Sequence, residues 1–360
     1  MDSKIYSKII GTGSYLPTVN VDNNAFLNTK FYDEDGKLVE KSGNEIIDTF
    51  QKITTISERR YVSDDQVTSD IAFLAGKDAI ENSGIDKESL DYIIVAHNFG
   101  DVKELNRRTD IVPSIAARVK YFLQIHNPST VAYDINFGCP GWLQGVIQAD
   151  YFIKSGDAKR ILVIGADVLS RVSDPHDRDS MLYADGAGAI VLEAIESDKP
   201  IGILAHNTRT DTFYHSTMLY MGGSYNPELE NRDELYLKMS GRKLYQYALE
   251  TVPSAIKASL EKCNVNLGEI SKVFIHQANG KMDDAILKRL YQLCEIPEIP
   301  PHIMPMTVDW LGNSSVATVP TLLDLVFKNK IDNHTINKGE YLIFASVGAG
   351  MSINAMVYKA

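Results

Sequence analysis

The order of strands and helices along these 360 residues predicts an α/β protein made of two related halves. Two observations carry that reading. Continuous apolar strands alternate with segments of helical periodicity, the pattern of parallel sheets covered by helices on both faces. The segment 81–98 also lies without gaps on 261–278 at an offset of 180, half the chain, and internal similarity at a fixed offset marks a repeated architecture.

The elements follow in order. In both copies a helix ends and a short polar turn follows, anchored by Ile85 or Val265. A buried strand then begins, Tyr92 to Val95 in the first copy and Val273 to Ile275 in the second. Next, Tyr133-Asp134-Ile135 runs as a strand into Gly138-Cys139-Pro140-Gly141, after which Leu143, Val146, Ile147 and Ile153 keep helical spacing. Arg160 to Gly165 matches Tyr341 to Ala345 as a second pair of buried strands, and the junction at Gly138 to Gly141 resembles Gly312-Asn313-Ser314-Ser315. The polar stretch Glu196-Ser197-Asp198-Lys199-Pro200 divides the chain into halves 1–198 and 199–360.

Composition narrows the functional classes. A chain that is 44% hydrophobic buries a large core. Its formal net charge of −11, with no segregated basic run, excludes nucleic acid as the expected partner. No apolar run reaches the roughly 18 residues that span a bilayer, and the start has no signal-peptide core, so membrane insertion and secretion are not expected. The three cysteines form no C-x-x-C pair, which argues against a disulfide framework or cysteine zinc site and suits a cytoplasmic location. Gly11-Thr12-Gly13 and Gly186-Ala187-Gly188 lack the rest of a nucleotide-binding fingerprint.

Cys139 is the candidate nucleophile. Pro140 suits the first helical position, which places Cys139 at the N-cap with unpaired N–H groups aimed at its sulfur. A helix N-terminus is expected to lower the thiol pKa below about 8.5. Cys263 and Cys294 lie inside amphipathic helical patterns and read as packing residues. His276 ends the strand of the second repeat copy, and Asn313 stands roughly opposite Cys139 in the duplicated pattern. Ligands bind at the carboxyl ends of parallel strands, so Cys139, His276 and Asn313 are expected to share one site as a nucleophile and two hydrogen-bonding groups. The same chain order of Cys, His and Asn occurs in papain-like proteases, which leaves a cysteine hydrolase as an alternative.

These motifs resemble the β-ketoacyl-acyl-carrier-protein synthase III family of thiolase-fold condensing enzymes. The likeness rests on Asp134-Ile135-Asn136-Phe137-Gly138-Cys139-Pro140-Gly141-Trp142, His276-Gln277-Ala278-Asn279 and Gly312-Asn313-Ser314-Ser315. Ser57-Glu58-Arg59-Arg60, a Gly-rich opening strand at Ile10 to Pro17, an Asp-Gly-Ala turn at Ala184 to Ala189, Lys238 to Arg242 and Val347 to Gly350 extend it along the chain. The resemblance implies a thiolase-like, five-layered αβαβα architecture and a homodimer, with Val112 in the interface segment beside the pocket. It implies an acyltransferase of fatty acid biosynthesis with no tightly bound cofactor and no metal, using acyl-CoA or acyl-ACP and malonyl-ACP. Cys139 would take the acyl group, and the backbone of Cys139, Gly348, Ala349 and Gly350 would hold the oxyanion. His276 and Asn313 would stabilise the enolate of decarboxylated malonyl. Lys281, Lys288 and Arg289 would receive the acidic acyl carrier protein.

The chain departs from the pattern in three places. Asn44 to Lys52 carries no Trp where acetyl-CoA-primed members stack one on adenine, an insertion-like stretch runs from Lys30 to Lys41, and Phe137 and Trp142 flank the nucleophile as expected pocket residues. The segment from Thr208 to Glu234 is a candidate pocket wall or lid. These departures keep open a specialised relative of a secondary pathway that joins longer acyl or β-ketoacyl groups.

Overall fold

The computed structural model describes residues 4–231 and 233–360. Its first sheet takes five strands, β1 (Lys4–Tyr15), β2 (Tyr92–Ala96), β3 (Val131–Ile135), β4 (Arg160–Val168) and β5 (Asp185–Ser197), in the order β1-β5-β4-β2-β3. The second takes β6 (Gly202–Thr210), β7 (Ile270–Ile275), β8 (Tyr341–Gly348) and β9 (Ser352–Lys359), in the order β6-β9-β8-β7. The two orders correspond strand for strand, except that the second sheet has no counterpart of β3. There Val273 N–H instead bonds the carbonyl of Ile303 at 2.9 Å, so irregular chain covers that edge.

The sheets are mixed, where the apolar runs predicted parallel ones. β2 is parallel to β3 and β4, and β7 to β8, but β5 and β9 each run antiparallel to both neighbours. The Asp-Gly-Ala segment is likewise strand, not turn. Gly186 and Gly188 lie within β5, and a helix crosses directly over them: a Cβ on Gly188 would come within 2.5 Å of the Thr321 nitrogen.

Seven helices of eight or more residues flank the sheets among the described residues: α1 (Gly43–Thr54), α2 (Thr68–Ser83), α3 (Ile115–Phe122), α4 (Gly141–Ser155), α5 (Gly241–Cys263), α6 (Gly280–Leu293) and α7 (Thr318–Phe327). α2 and α3 cover the outer face of the first sheet, and α5 and α6 that of the second. α4 and α7 lie between the sheets, with Ile94, Ile161 and Val163 of the first sheet and Phe274 and Phe344 of the second in the same core. The layers therefore run α-β-α-β-α. The sequence explains which helices go inside. α7 (TVPTLLDLVF) is apolar nearly all round, and every residue except Phe327 is buried.

The polar groups that α7 carries inward are paired, as burial requires. Asp324 is fully buried and accepts from the hydroxyls of Thr12 at 2.7 Å and Ser14 at 2.6 Å on β1, while Lys328 Nζ lies 2.8 Å from its Oδ1. These bonds tie the second half's central helix to the first half's opening strand. Asp324→Ala is expected to cost about 3 kcal/mol, because the Thr12 and Ser14 hydroxyls lose their acceptor together and Lys328 is left with Asp78 alone. Chemical denaturation measures this, and a wild-type midpoint in the variant contradicts it.

Candidate functional site

The site forms where the two halves meet at their strand ends. After β3 the chain turns sharply. Gly138 has φ +66°, a left-handed conformation that glycine adopts without steric cost, and the Gly141 N–H closes the turn on the Gly138 carbonyl at 2.9 Å. Pro140, not Cys139, caps α4, so Cys139 sits one residue before the observed N-cap, inside the turn. Its own N–H donates to no carbonyl among the described residues.

From the other half, Gly348 and Ala349 press on this turn. A Cβ at Gly348 would meet the Cys139 nitrogen at 2.4 Å, and one at Gly138 would meet the Ala349 nitrogen at 2.7 Å. Ala349 lines the cavity in front of Cys139, whereas Gly348 forms the backbone contact with the turn and Gly350 has a left-handed φ of +77°.

A cavity of about 240 Å³ opens in front of the sulfur, with Cys139, His276 and Asn313 all in its wall. Asn313 is held by its backbone, accepting from Ala184 N–H and donating to the Leu182 carbonyl, both at 2.9 Å. Its side-chain Oδ1 accepts the Ser315 N–H at 2.9 Å, which leaves the amide NH₂ as the group available to a ligand. Ser315 adopts φ +54°, and from that position its hydroxyl donates to Cys139 Sγ at 3.3 Å. Asn98 donates to the same hydroxyl at 3.0 Å and to buried Asp167 at 2.6 Å, completing a polar line from Asp167 to the sulfur.

Burial sets the charge states. It pushes the Cys139 thiol up to about 11, with buried Asp167 adding to the rise and the Ser315 hydroxyl partly offsetting it. This overturns the expected lowered pKa. The helix begins one residue later than predicted, and loss of water outweighs the dipole. Burial pushes His276 down to about 4, partly offset by the Ser315 backbone, so its imidazole is neutral at physiological pH. The site therefore holds an uncharged thiol, an uncharged imidazole and an amide.

Three expected pocket residues stand elsewhere. Trp142 is in the core between the sheets, 6.4 Å from the Phe344 ring with its indole N–H toward the Val163 carbonyl, because the first turn of α4 aims it at the sheets. Phe137 packs at the edge of the same core and is absent from the cavity wall. Val112 is 83% exposed on a surface loop and lines neither the cavity at Cys139 nor its mouth. Lys281, Lys288 and Arg289 are exposed on α6, with Lys288 beside a separate groove near Tyr291 and Ile299.

The structure adds residues that the sequence reading missed. Asn98 is one, and the repeat held its signal, since Asn98 and Ala278 occupy equivalent positions 180 apart and both line the cavity. Leu219, Tyr220 and Met221, from the 208–234 segment, form a cavity wall by pairing as a short strand (Leu219–Gly222) with Tyr236–Met239. Toward solvent a second cavity of about 550 Å³ shares Met239, Leu244, Ala278, Met282 and Asn313 with the first and serves as its mouth. Tyr32, Asp33, Glu34 and Lys41 of the 30–41 stretch line its rim. This stretch is anchored by Tyr32 N–H to the His176 carbonyl at 2.9 Å and by Phe31, which is buried. The 224–225 backbone is anchored in turn by Asp174, which accepts from Ser224 Oγ, Tyr225 N–H and the buried ammonium of Lys238.

Known proteins are similar along nearly the whole chain. The family model of 3-oxoacyl-[acyl-carrier-protein (ACP)] synthase III matches residues 133–212, and the model of its C-terminal part matches 260–360. The β-ketoacyl-[acyl-carrier-protein] synthase III of Xanthomonas campestris pv. campestris is 32% identical over 354 residues, 98% of each chain. The solved 3-oxoacyl-[acyl-carrier-protein] synthase III of Aquifex aeolicus superimposes with a TM-score of 0.79 at 28% identity, covering 98% of this chain and 100% of that one. Xanthomonas campestris OleA, solved with lauric acid and lauroyl-CoA, shares the fold at a TM-score of 0.77 and 16% identity, over 99% of each chain.

The raised thiol pKa has a measurable consequence. Alkylation of Cys139 by iodoacetamide, followed by peptide mass, is expected to accelerate about tenfold per pH unit from pH 7 to 10 and to level only near 11, because only the thiolate reacts. Ser315→Ala should slow it further by removing the hydrogen bond to sulfur. A rate already flat at pH 7 contradicts the assignment.

Proposed function

The chain belongs to the 3-oxoacyl-[acyl-carrier-protein] synthase III family of condensing acyltransferases, and from that premise we propose how its own residues carry out the reaction. Cys139 attacks an acyl thioester. Its proton leaves for neutral His276, an acceptor in the same cavity wall, so a thiol of high pKa reacts without standing as a buried thiolate. The Cys139 N–H and the adjoining Gly348-Ala349-Gly350 backbone stabilise the oxyanion, and the acyl group passes to sulfur as the carrier sulfur departs, taking the proton from His276 to leave as a thiol and returning the imidazole to its neutral form.

Malonyl on acyl carrier protein then enters. As it loses carbon dioxide, the enolate oxygen accepts hydrogen bonds from the His276 imidazole and the Asn313 amide, neutral donors whose bonds strengthen as charge develops. The carbanion attacks the acyl-enzyme, expels Cys139 as a thiolate that takes a proton from solvent to regain its resting thiol, and yields a β-ketoacyl-acyl carrier protein for fatty acid biosynthesis. The observation that carries this reading is the convergence of Cys139, His276 and Asn313 on one apolar cavity with a mouth to solvent. That cavity's wall of Leu169, Leu219, Met221 and Leu237 also favours a second reading, a specialised relative joining longer acyl or β-ketoacyl groups.

The carrier docks, in this proposal, on Lys281, Lys288 and Arg289, exposed cations on the helix that begins at the mouth. The enzyme is a cytoplasmic homodimer; no helix among the described residues is long and apolar enough to cross a membrane. β3 is a sheet edge. Val131 on it is exposed, as are Ile111, Val112 and Tyr121 nearby in sequence, an apolar face that a second copy would cover.

Intact-mass measurement after incubation with acyl-CoA and acyl-carrier thioesters, acetyl to long-chain, tests the proposal. Wild type should gain one acyl group and Cys139→Ser none; absence of a Cys139-dependent adduct from every donor would sink it. Labelling by longer groups alone selects the second reading. His276→Ala and Asn313→Ala should each lower β-ketoacyl formation by about 10²–10³-fold through loss of an enolate donor. Asn313→Ala is expected to keep its acyl loading.

A further inference from the structure

The turns that carry Cys139 and Gly348 press together, but steric contact only limits how near two backbones come and does not hold them there. Among the described residues, the hydrogen bonds that join 136–144 to 345–354 all come from one side chain, that of Asn354 on β9. Its Nδ2 donates to the Pro140 carbonyl at 3.2 Å and to Gln144 Oε1 at 3.3 Å. Pro140 directly follows the nucleophile and caps α4.

Neither packing nor hydrogen-bond satisfaction calls for an amide at this position. Asn354 is fully buried, and its Oδ1 has no partner among the described residues, which lowers stability. The Pro140 carbonyl already accepts the Gln144 N–H at 2.9 Å in the first turn of α4, so it does not need a second donor. What the amide adds is a link between the two halves of the chain.

That link falls where the chemistry is most sensitive to distance. β8 and β9 form a hairpin whose register pairs Gly348 with Ser352 and Ser346 with Asn354. Gly348, Ala349 and Gly350 belong to its tip, and Asn354 stands two residues past the closing pair. Its bond to Pro140 therefore draws the tip toward the Cys139 turn. An oxyanion that accepts from the Cys139 N–H and from the tip together is stabilised only while the spacing between them is kept.

We propose that Asn354 is a positioning residue that holds the oxyanion-binding backbone of the second half against the nucleophile turn. This rests on the acyl transfer proposed above. Asn354 acts on the oxyanion and not on the sulfur, so its loss slows attack on a thioester and leaves the reactivity of the thiol itself unchanged.

Two reactions of the same sulfur separate these effects. Acylation by a thioester passes through an oxyanion, whereas alkylation by iodoacetamide displaces iodide at a saturated carbon and forms none. With both read by intact mass at one pH, the thioester is the acyl-CoA or acyl-carrier donor that loads wild type fastest. Asn354→Ala should lower the saturating acylation rate about tenfold, with the half-saturating donor concentration and the alkylation rate unchanged. Asn354→Leu, which fills the space with apolar volume, should show the same split and carries the test if the alanine variant does not fold. Gln144→Ala keeps the bond to Pro140 and should load at the wild-type rate; a tenfold loss there would place the hold on Gln144 and overturn the proposal. Equal falls in acylation and alkylation would show a merely structural role and overturn it too, as would wild-type acylation in either folded variant or loss of the fold in both. If wild type is alkylated yet loads from no thioester, the function proposed above falls and this inference with it.

Discussion

The backbones of the two halves touch at Cys139, and the site depends on that contact. Gly348 approaches the Cys139 nitrogen so closely that no side chain fits, and Gly138 returns the same demand toward Ala349. Two chain segments far apart in sequence therefore meet at atomic contact, with glycine required on each side. The approach fixes where the sulfur stands and brings the second half's backbone beside the Cys139 N–H. It also requires that α4 and α7 fill the space between the sheets, because only a fully packed central layer holds the strand ends in this register.

Exclusion of water follows from that packing and sets the chemistry. In an exposed turn, Cys139 would titrate like an ordinary thiol and His276 would change charge near neutral pH. Buried together, the thiol is driven up to about 11 and the imidazole down to about 4, so both are held uncharged. A neutral pair suits a reaction in which charge appears only transiently on an oxygen. The hydrogen bonds are arranged accordingly. Ser315 and Asn98 orient the sulfur, while the locked oxygen of Asn313 leaves its amide hydrogens for the reacting group.

The periphery answers a different demand, access. The 30–41 stretch and the loop near residue 225 are sewn to the 174–179 segment through His176 and through the Asp174–Lys238 pair, in which both side chains are essentially inaccessible. A buried ion pair is weak evidence for stability but strongly resists loss of either member. Here it holds a rim that extends the path from solvent to sulfur.

Local periodicity and motifs of a few residues were enough to reveal the duplication, the strand-to-helix junctions and the candidacy of Cys139, His276 and Asn313. The repeat also held the position of Asn98. Neither kind of signal says which way a bulky residue faces: Trp142 follows the nucleophile by three positions yet points into the core. Nor does either give the thiol its pKa, since a helix start one residue later and the loss of water around the sulfur are properties of the assembled halves. The line from Asp167 to Cys139 and the walls supplied by residues 219–221 exist only in the folded chain. Burial, orientation and hydrogen-bond partnership depend on what distant segments bring to a point, and a linear pattern does not record that.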